Sequence, residues 1–473
     1  MRARTAVVVA LALVGGALVG NAVRNPQLAV RSPQSARTPG SPCVPRQLAD
    51  CGLRTAAPGL RIADHGSDIS FYERRVAEDS QSAIDRGILA SLYVQRARST
   101  GNVDDYARAE TLARRSLALR TARNGQTFAL LASTLVARHA FAEALAVARR
   151  ADSLEPGVAA HLALMGEIEL EIGEYAGADS HFAAIRYDGE QFAVGARLAR
   201  WRELSGHSDR ARRLLVGAAA HADRRDDLPR EQVAWFHYRL GELELRTGRL
   251  DAADSALHRG LAIFPGDYRI LGALARLAAA RERWTESIAY GDRAIAIQLD
   301  PTTLGTISDA WNALGDSARA AEYARAMTVN ALHQPGPIHR AWGMFVLDHG
   351  SAADARRVLA KARAERRERV DVYGDDLLAW SLHRLGRSVE ARTLIASALA
   401  RGTEDAQLHY HAGMIARATG DAGEAIRQLE RAMSLNARFS PSQSPIARRT
   451  LDSLRAALPR DAAKSVSPSR RSA

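Results

Sequence analysis

Lysine is almost missing from this chain. Of 65 cationic residues only Lys361 and Lys464 are lysine, and the other 63 are arginine. Such a skew follows a GC-rich genome more readily than a binding need. Aromatic residues make up 5%, so a core must be built from aliphatic and small side chains. Cys43 and Cys51 are the two cysteines of 473 residues; they cannot staple such a chain, and they exclude a four-cysteine zinc site. The sequence has no G-x-x-x-x-G-K-[ST], no H-E-x-x-H, no G-x-S-x-G, and no G-x-G-x-x-G after a strand. No strand-period pattern is evident either, so an α/β active site has no scaffold. His409 and His411 alternate on a helical stretch and point to different faces, which does not make a metal site. His333 and His339 flank Pro335 and Pro337, and read as a solvated turn. These absences argue against an enzyme, a cofactor and a bound metal.

What the chain does have is a formal net charge of +12, unevenly placed. Residues 1–61 hold eight Arg against one Asp, and residues 438–473 hold eight cations against two acids. The body, 62–437, is left at −1. A near-neutral body lacks the basic stripe that nucleic-acid binding needs. Basic ends resting on an anionic surface or a nucleic acid, and a helical enzyme of unfamiliar design, stay as alternatives.

Residues 1–23 have the form of an export signal: Arg2 and Arg4 precede an apolar run from Ala6 to Gly20. Gly20-Asn21-Ala22 offers a weak cleavage site, and the run is slightly short for a bilayer span of about 20 residues. A cleaved signal and a retained membrane anchor both stay open. Either places the protein outside the cytoplasm, periplasmic or anchored to the membrane. Residues 24–66 form a linker in which Pro26, Pro33, Pro39, Pro42, Pro45 and Pro58 recur with Ser and Arg. In an exported protein, Cys43 and Cys51 read as a local disulfide.

The body is periodic. A glycine stands five residues before an alanine at Gly173/Ala178, Gly206/Ala211, Gly248/Ala253, Gly315/Ala320, Gly350/Ala355, Gly386/Ala391 and Gly420/Ala425. Seven residues before each glycine lies a small residue: Gly166, Ala199, Gly241, Ser308, Gly343, Ala379 and Gly413. Pro229, Pro265, Pro301 and Pro335 fall at the joints. This pattern resembles the tetratricopeptide repeat, a helix-turn-helix of about 34 residues. It is clearest at 125–158, with Ala132, Phe141, Ala144, Ala151 and Pro156, and at 234–267. Further units begin near 159, 192, 268, 301, 336, 372 and 406, and a divergent one covers 82–121. Ser287 departs from the pattern where alanine is expected, and 186–191 and 219–230 are insertions.

The resemblance implies an all-α, right-handed α-solenoid of about nine to ten repeats over 67–437. A capping helix follows at 438–458, with Ile446, Leu451, Leu454 and Leu458 on one face, and a disordered tail occupies 459–473. It also implies that first helices line a concave face, with positions 2, 5, 9 and 12 of each unit pointing inward. Those positions hold Trp235, Tyr238, Glu242, Arg276, Asp309, Asn312, Arg340, Tyr373, Asp376, Trp380, Tyr410 and Met414. Trp, Tyr, Met and Arg are favoured at protein interfaces. The expected function is a non-catalytic scaffold that takes a peptide or partner segment, from a cell-envelope component, into the groove. The alternative for the aromatics is packing between neighbouring first helices.

Overall fold

A computed structural model describes residues 65–333 and 338–457. The signal-like segment, the linker with Cys43 and Cys51, the 334–337 joint and the C-terminal tail lie outside the described residues. Among the described residues there are 22 α-helices and no strand. Helix α1 (His65–Glu78) precedes ten helical hairpins: α2 (Ala83–Thr100) with α3 (Asp104–Leu119), α4 (Gly125–Ala137) with α5 (Phe141–Leu154), α6 (Ala159–Ile172) with α7 (Tyr175–Ala184), α8 (Phe192–Leu204) with α9 (Ser208–Ala222), and α10 (Arg230–Arg246) with α11 (Leu250–Ile263). The second five are α12 (Tyr268–Ala280) with α13 (Trp284–Ile295), α14 (Pro301–Ala313) with α15 (Ser317–His333), α16 (Arg340–His349) with α17 (Ala352–Glu365), α18 (Val372–Arg384) with α19 (Ser388–Leu399), and α20 (Ala406–Ala418) with α21 (Ala422–Leu435). Helix α22 (Gln443–Ala457) closes the stack.

The small residues explain the hairpins. Ala178, Ala211, Ala253, Ala391 and Ala425 are all 0% exposed, pressed between the two helices of a unit. On the facing helix a Cβ at Gly241 or Gly413 would run into Leu257 or Leu429. Ser287 takes the alanine position because its hydroxyl donates to the Ala275 carbonyl at 2.8 Å, so burying it leaves no unmet hydrogen bond. Each hairpin is too thin to bury its own apolar stripe, so it stacks on its neighbours.

Two elements differ from expectation. Helix α1 was not foreseen, since its apolar positions Ile69, Tyr72 and Val76 are sparse; they pack on the first hairpin. Helix α22 turns Ala447 and Leu451 inward, with Leu454 partly covered, while Ile446 is 37% exposed. The buried stripe therefore runs one position later than Ile446 would place it.

The first helices line the inside of the superhelix: α2 touches α4, α4 touches α6, α6 touches α8, and so on from α10 to α20. Between α8 and α10, flanking the 219–230 insertion, Phe192 packs edge-on against Phe236 at 5.3 Å, and charge adds to the packing: Glu203 on α8 meets Arg239 at 3.6 Å and pairs with Arg246, both from α10.

The superhelix is wound tightly enough for its second turn to rest on its first. The turn inside a hairpin meets the loop that follows the hairpin five units later. The Val370 N–H donates to the Ile172 carbonyl at 3.0 Å, and Val372 N–H to the Tyr175 hydroxyl at 2.8 Å across 197 residues. Arg369 donates to the Glu171 carbonyl and carboxylate at 2.8 and 2.7 Å across 198 residues. Thr403 donates to the Leu204 carbonyl at 2.6 Å across 199 residues, and Asn436 Nδ2 to the Leu245 carbonyl at 3.0 Å across 191. The near-constant separation is that of a regular helix of hairpins with slightly more than five units per turn.

Candidate functional site in the lumen

Closure of the second turn over the first converts the concave face into a lumen with charged walls. Its main cavity, about 340 Å3, is walled on one side by Glu242, Arg276 and Asp309 from α10, α12 and α14. Asp405, Arg438 and Phe439 of the second turn wall the other. A second cavity of about 170 Å3 lies next to it, sharing Glu242 and Arg276 and adding Tyr238, Tyr268 and Arg269. A larger, mainly apolar cleft of about 460 Å3 sits at the N-terminal edge between α1, α2 and α3, away from this charged wall.

The wall is a chain of ion pairs. Arg276 donates to Glu242 at 2.5 and 3.3 Å, bridging two consecutive first helices. Arg269 holds Glu231 at 2.5 Å and Asp267 at 2.6 and 2.9 Å. Burial pushes the Glu203 carboxyl up, but Arg246, Arg200 and Arg239 around it outweigh that and bring it down to about 2. Arg246 also donates to the Tyr373 hydroxyl at 3.5 Å, and Tyr373 in turn to Asp405 at 3.4 Å. Asp405 accepts the Gln407 N–H at 2.9 Å as the N-cap of α20. Such a wall offers donors and acceptors in alternation, which suits a ligand carrying both. Among the described residues, no group of three or more His, Cys, Asp or Glu is arranged to hold a metal.

The groove residues read from the sequence divide into three sets. Tyr238, Glu242, Arg276 and Asp309 come together on the cavity walls, and Asp309 is paired with His349 at 3.0 Å. Tyr373 stands behind Asp405. A second set is packed between helices. Trp380 is 4% exposed, stacked between His411 at 4.2 Å and His383 at 4.8 Å, with its Nε1 donating to Asp348 at 3.0 Å. Tyr410 is 2% exposed beside it, and Asp376 holds His411 at 2.7 Å. Met414 is half-buried against the same cluster, and Trp235 is buried against Phe236. Arg340 is fixed to Asp371 at 2.6 and 2.7 Å. Asn312 stands apart, exposed at the end of α14. For the second set the packing alternative describes what the side chains touch.

Arg246, Asp405, Arg438 and Phe439 were missed. Asp405 carried a signal, an acidic residue just before a helix start. The loop 436–441 carried none, because what it covers depends on the pitch of the superhelix.

Three desolvated histidines should make the solenoid acid-sensitive. Burial and the Arg369 guanidinium push the His139 imidazole down to about 4. Burial does the same to His339 and His383, also to about 4. His349, beside Asp309, is held up instead, which opposes this in part. An unfolded chain takes up these protons near its ordinary pKa of about 6.5. Stability should therefore fall as pH drops from about 6.5 toward 4. Glu203, held near 2, adds to the fall only below about pH 5, where the carboxyl of the unfolded chain begins to protonate. Urea melts at pH 7.5 and 5 check this, and equal midpoints would overturn it.

A family model described as tetratricopeptide repeat matches residues 234–277, and a second with the same description matches 406–439. No curated protein matches. Among solved structures the chain is similar to PilF of Pseudomonas aeruginosa, at 16% identity over 47% of this chain and 96% of that one, TM-score 0.36. It is similar to PilW, a type IV pilus biogenesis factor, at 16% identity over 45% of this chain and 96% of that one, TM-score 0.38. It is also similar to human IFIT1, solved as a dimer with PPP-AAAA, at 13% identity over 80% and 96%, TM-score 0.41. With the helices of each hairpin pinned by a small buried residue, alanine or Ser287, and two hairpins matched by the family's own models, the chain carries tetratricopeptide repeats.

Proposed function

We propose that the protein is an exported, non-catalytic scaffold that holds a short extended polypeptide segment in the lumen of its superhelix. One observation carries this reading: the cavity of about 340 Å3 whose wall alternates Arg276 and Arg438 with Glu242, Asp309 and Asp405. An extended backbone presents N–H and C=O groups in alternation, and such a wall meets both. The volume lies at the low end for small-ligand sites, so it takes a few residues and not a long peptide. The export half of the reading rests on Arg2, Arg4 and the apolar run to Gly20. No helix among the described residues is long and apolar enough to cross a membrane. A partner in the cell envelope is the corresponding expectation.

A photo-crosslinking residue at Thr306, on the cavity wall, should capture a polypeptide in cells. The same residue at Val389, 79% exposed on a second helix, should not. Equal yields at both positions, or none at Thr306, would overturn the lumen reading.

A further inference from the structure

The seam between the two superhelical turns is unlike the joints between successive hairpins. Those joints bury Leu, Ile and Ala in shared clusters. The seam is built mainly from hydrogen bonds and ion pairs. Arg401 donates to Asp179 at 2.8 Å and to Ser205 Oγ at 2.9 Å; the bonds of Arg369, Val370, Thr403 and Asn436 were given above. The main apolar contribution across it comes from two tyrosines, Tyr175 and Tyr373, each of which reaches a core cluster of the other turn. Polar contacts of this kind exchange largely with water when they part, so each contributes only modestly to holding the seam closed. The seam can therefore part while uncovering little apolar surface beyond what these two tyrosines cover.

Its closeness is set by glycine. Gly173 and Gly206 end their turns at φ +89° and +71°. A Cβ on Gly173 would overlap the Val370 carbonyl, and one on Gly206 the Gly402 carbonyl. Gly386, at φ +76°, ends an equivalent turn in the second half of the stack, where no third turn lies above it, and a Cβ there would meet nothing within 4 Å. The same seam also completes the cavity. Asn436 bonds the Leu245 and Arg246 carbonyls at 3.0 and 3.3 Å, and all three residues line the cavity.

We propose that this seam is a reversible latch on the lumen: closing it assembles the polar cavity, and parting it is how an extended segment gains entry. The purpose of the latch rests on the lumen-binding reading, but its opening is measurable without any partner. The probe is a maleimide-polyethylene glycol reacting with Thr306→Cys, with labelling read at residue 306 by peptide mapping so that Cys43 and Cys51 do not interfere. Adding Gly206→Ala should speed labelling several-fold, and should raise amide exchange at 369–372 and 436–441. Adding Gly386→Ala, which carries the same backbone strain but no seam contact, should change neither. Raised salt should also speed labelling by screening Arg369–Glu171 and Arg401–Asp179. Should Gly206→Ala fail to fold, Thr403→Val tests the latch from the other side by deleting only the bond to Leu204. Equal labelling rates in the seam variant and the Gly386→Ala control would overturn the latch. If instead the seam variant labels faster while crosslinking from Thr306 captures nothing, the latch stands and the lumen-binding reading falls.

Discussion

Replacing Asp371 with alanine should lower the stability of the solenoid by about 3–5 kcal/mol, the range for removing one partner of a buried ionic network. Asp371 is 5% exposed and does three things. It caps α18, accepting the N–H groups of Tyr373 and Gly374 at 3.1 and 3.3 Å. It takes both arms of the Arg340 guanidinium at 2.7 and 2.6 Å, and it stands 3.7 Å from Arg369. Burial pushes its carboxyl up, but Arg340 and Arg369 outweigh that and hold it below the usual carboxylate range. Alanine would leave Arg340 with Glu365 as its remaining carboxylate, shared with Arg369, which keeps Glu171 as well. Asparagine keeps the cap but not the charge and should fall between. Urea denaturation measures both; a loss under 1 kcal/mol for the alanine variant would show that the network relaxes around the gap.

Trp380→Ala should cost a similar amount, about 3–5 kcal/mol, as large aromatic truncations in a core do. The ring fills the layer between His383 and His411, and its Nε1 is one of two donors, with Gln443, that satisfy Asp348. Burial already pushes the Asp348 carboxyl up, so loss of a donor leaves an under-satisfied buried acid. Trp380→Phe keeps most of the packing and should recover more than half of the loss. Were Trp380 a partner-binding surface and nothing more, the alanine variant would melt like the parent; thermal denaturation separates the two.

These residues mark where sequence reading reached its limit. The hairpins were legible because Ala253 and Gly241 answer a local demand, two helix axes approaching within one side-chain layer. That demand repeats at a fixed interval. The inward positions were legible too: Glu242, Arg276 and Asp309 do face the cavity. What the period could not separate was a side chain facing space from one facing the next first helix. Trp380 and Tyr410 occupy inward positions, yet neighbouring units cover them. Arg340 was read as a groove cation because its partner, Asp371, lies 31 residues on, in another unit. The second-turn wall, Asp405 and 436–441, was illegible for a different reason. It is created by the pitch of the superhelix, the sum of many small rotations that no single unit encodes.

The five-unit register has a consequence for how the chain folds. In a simple array each repeat touches only the repeats before and after it, so contact order is low and the ends can melt one unit at a time. Here residues close to 200 positions apart are joined at three successive levels of the stack. The closure entropy of such long loops must be met before those bonds form, which places seam formation late and makes it slow. Once made, it ties the first five hairpins to the last five, so that fraying from either end is resisted by a neighbour one turn away. A truncation that drops the last two hairpins would thus weaken not only the new terminus but also the third to fifth hairpins, far from it in sequence.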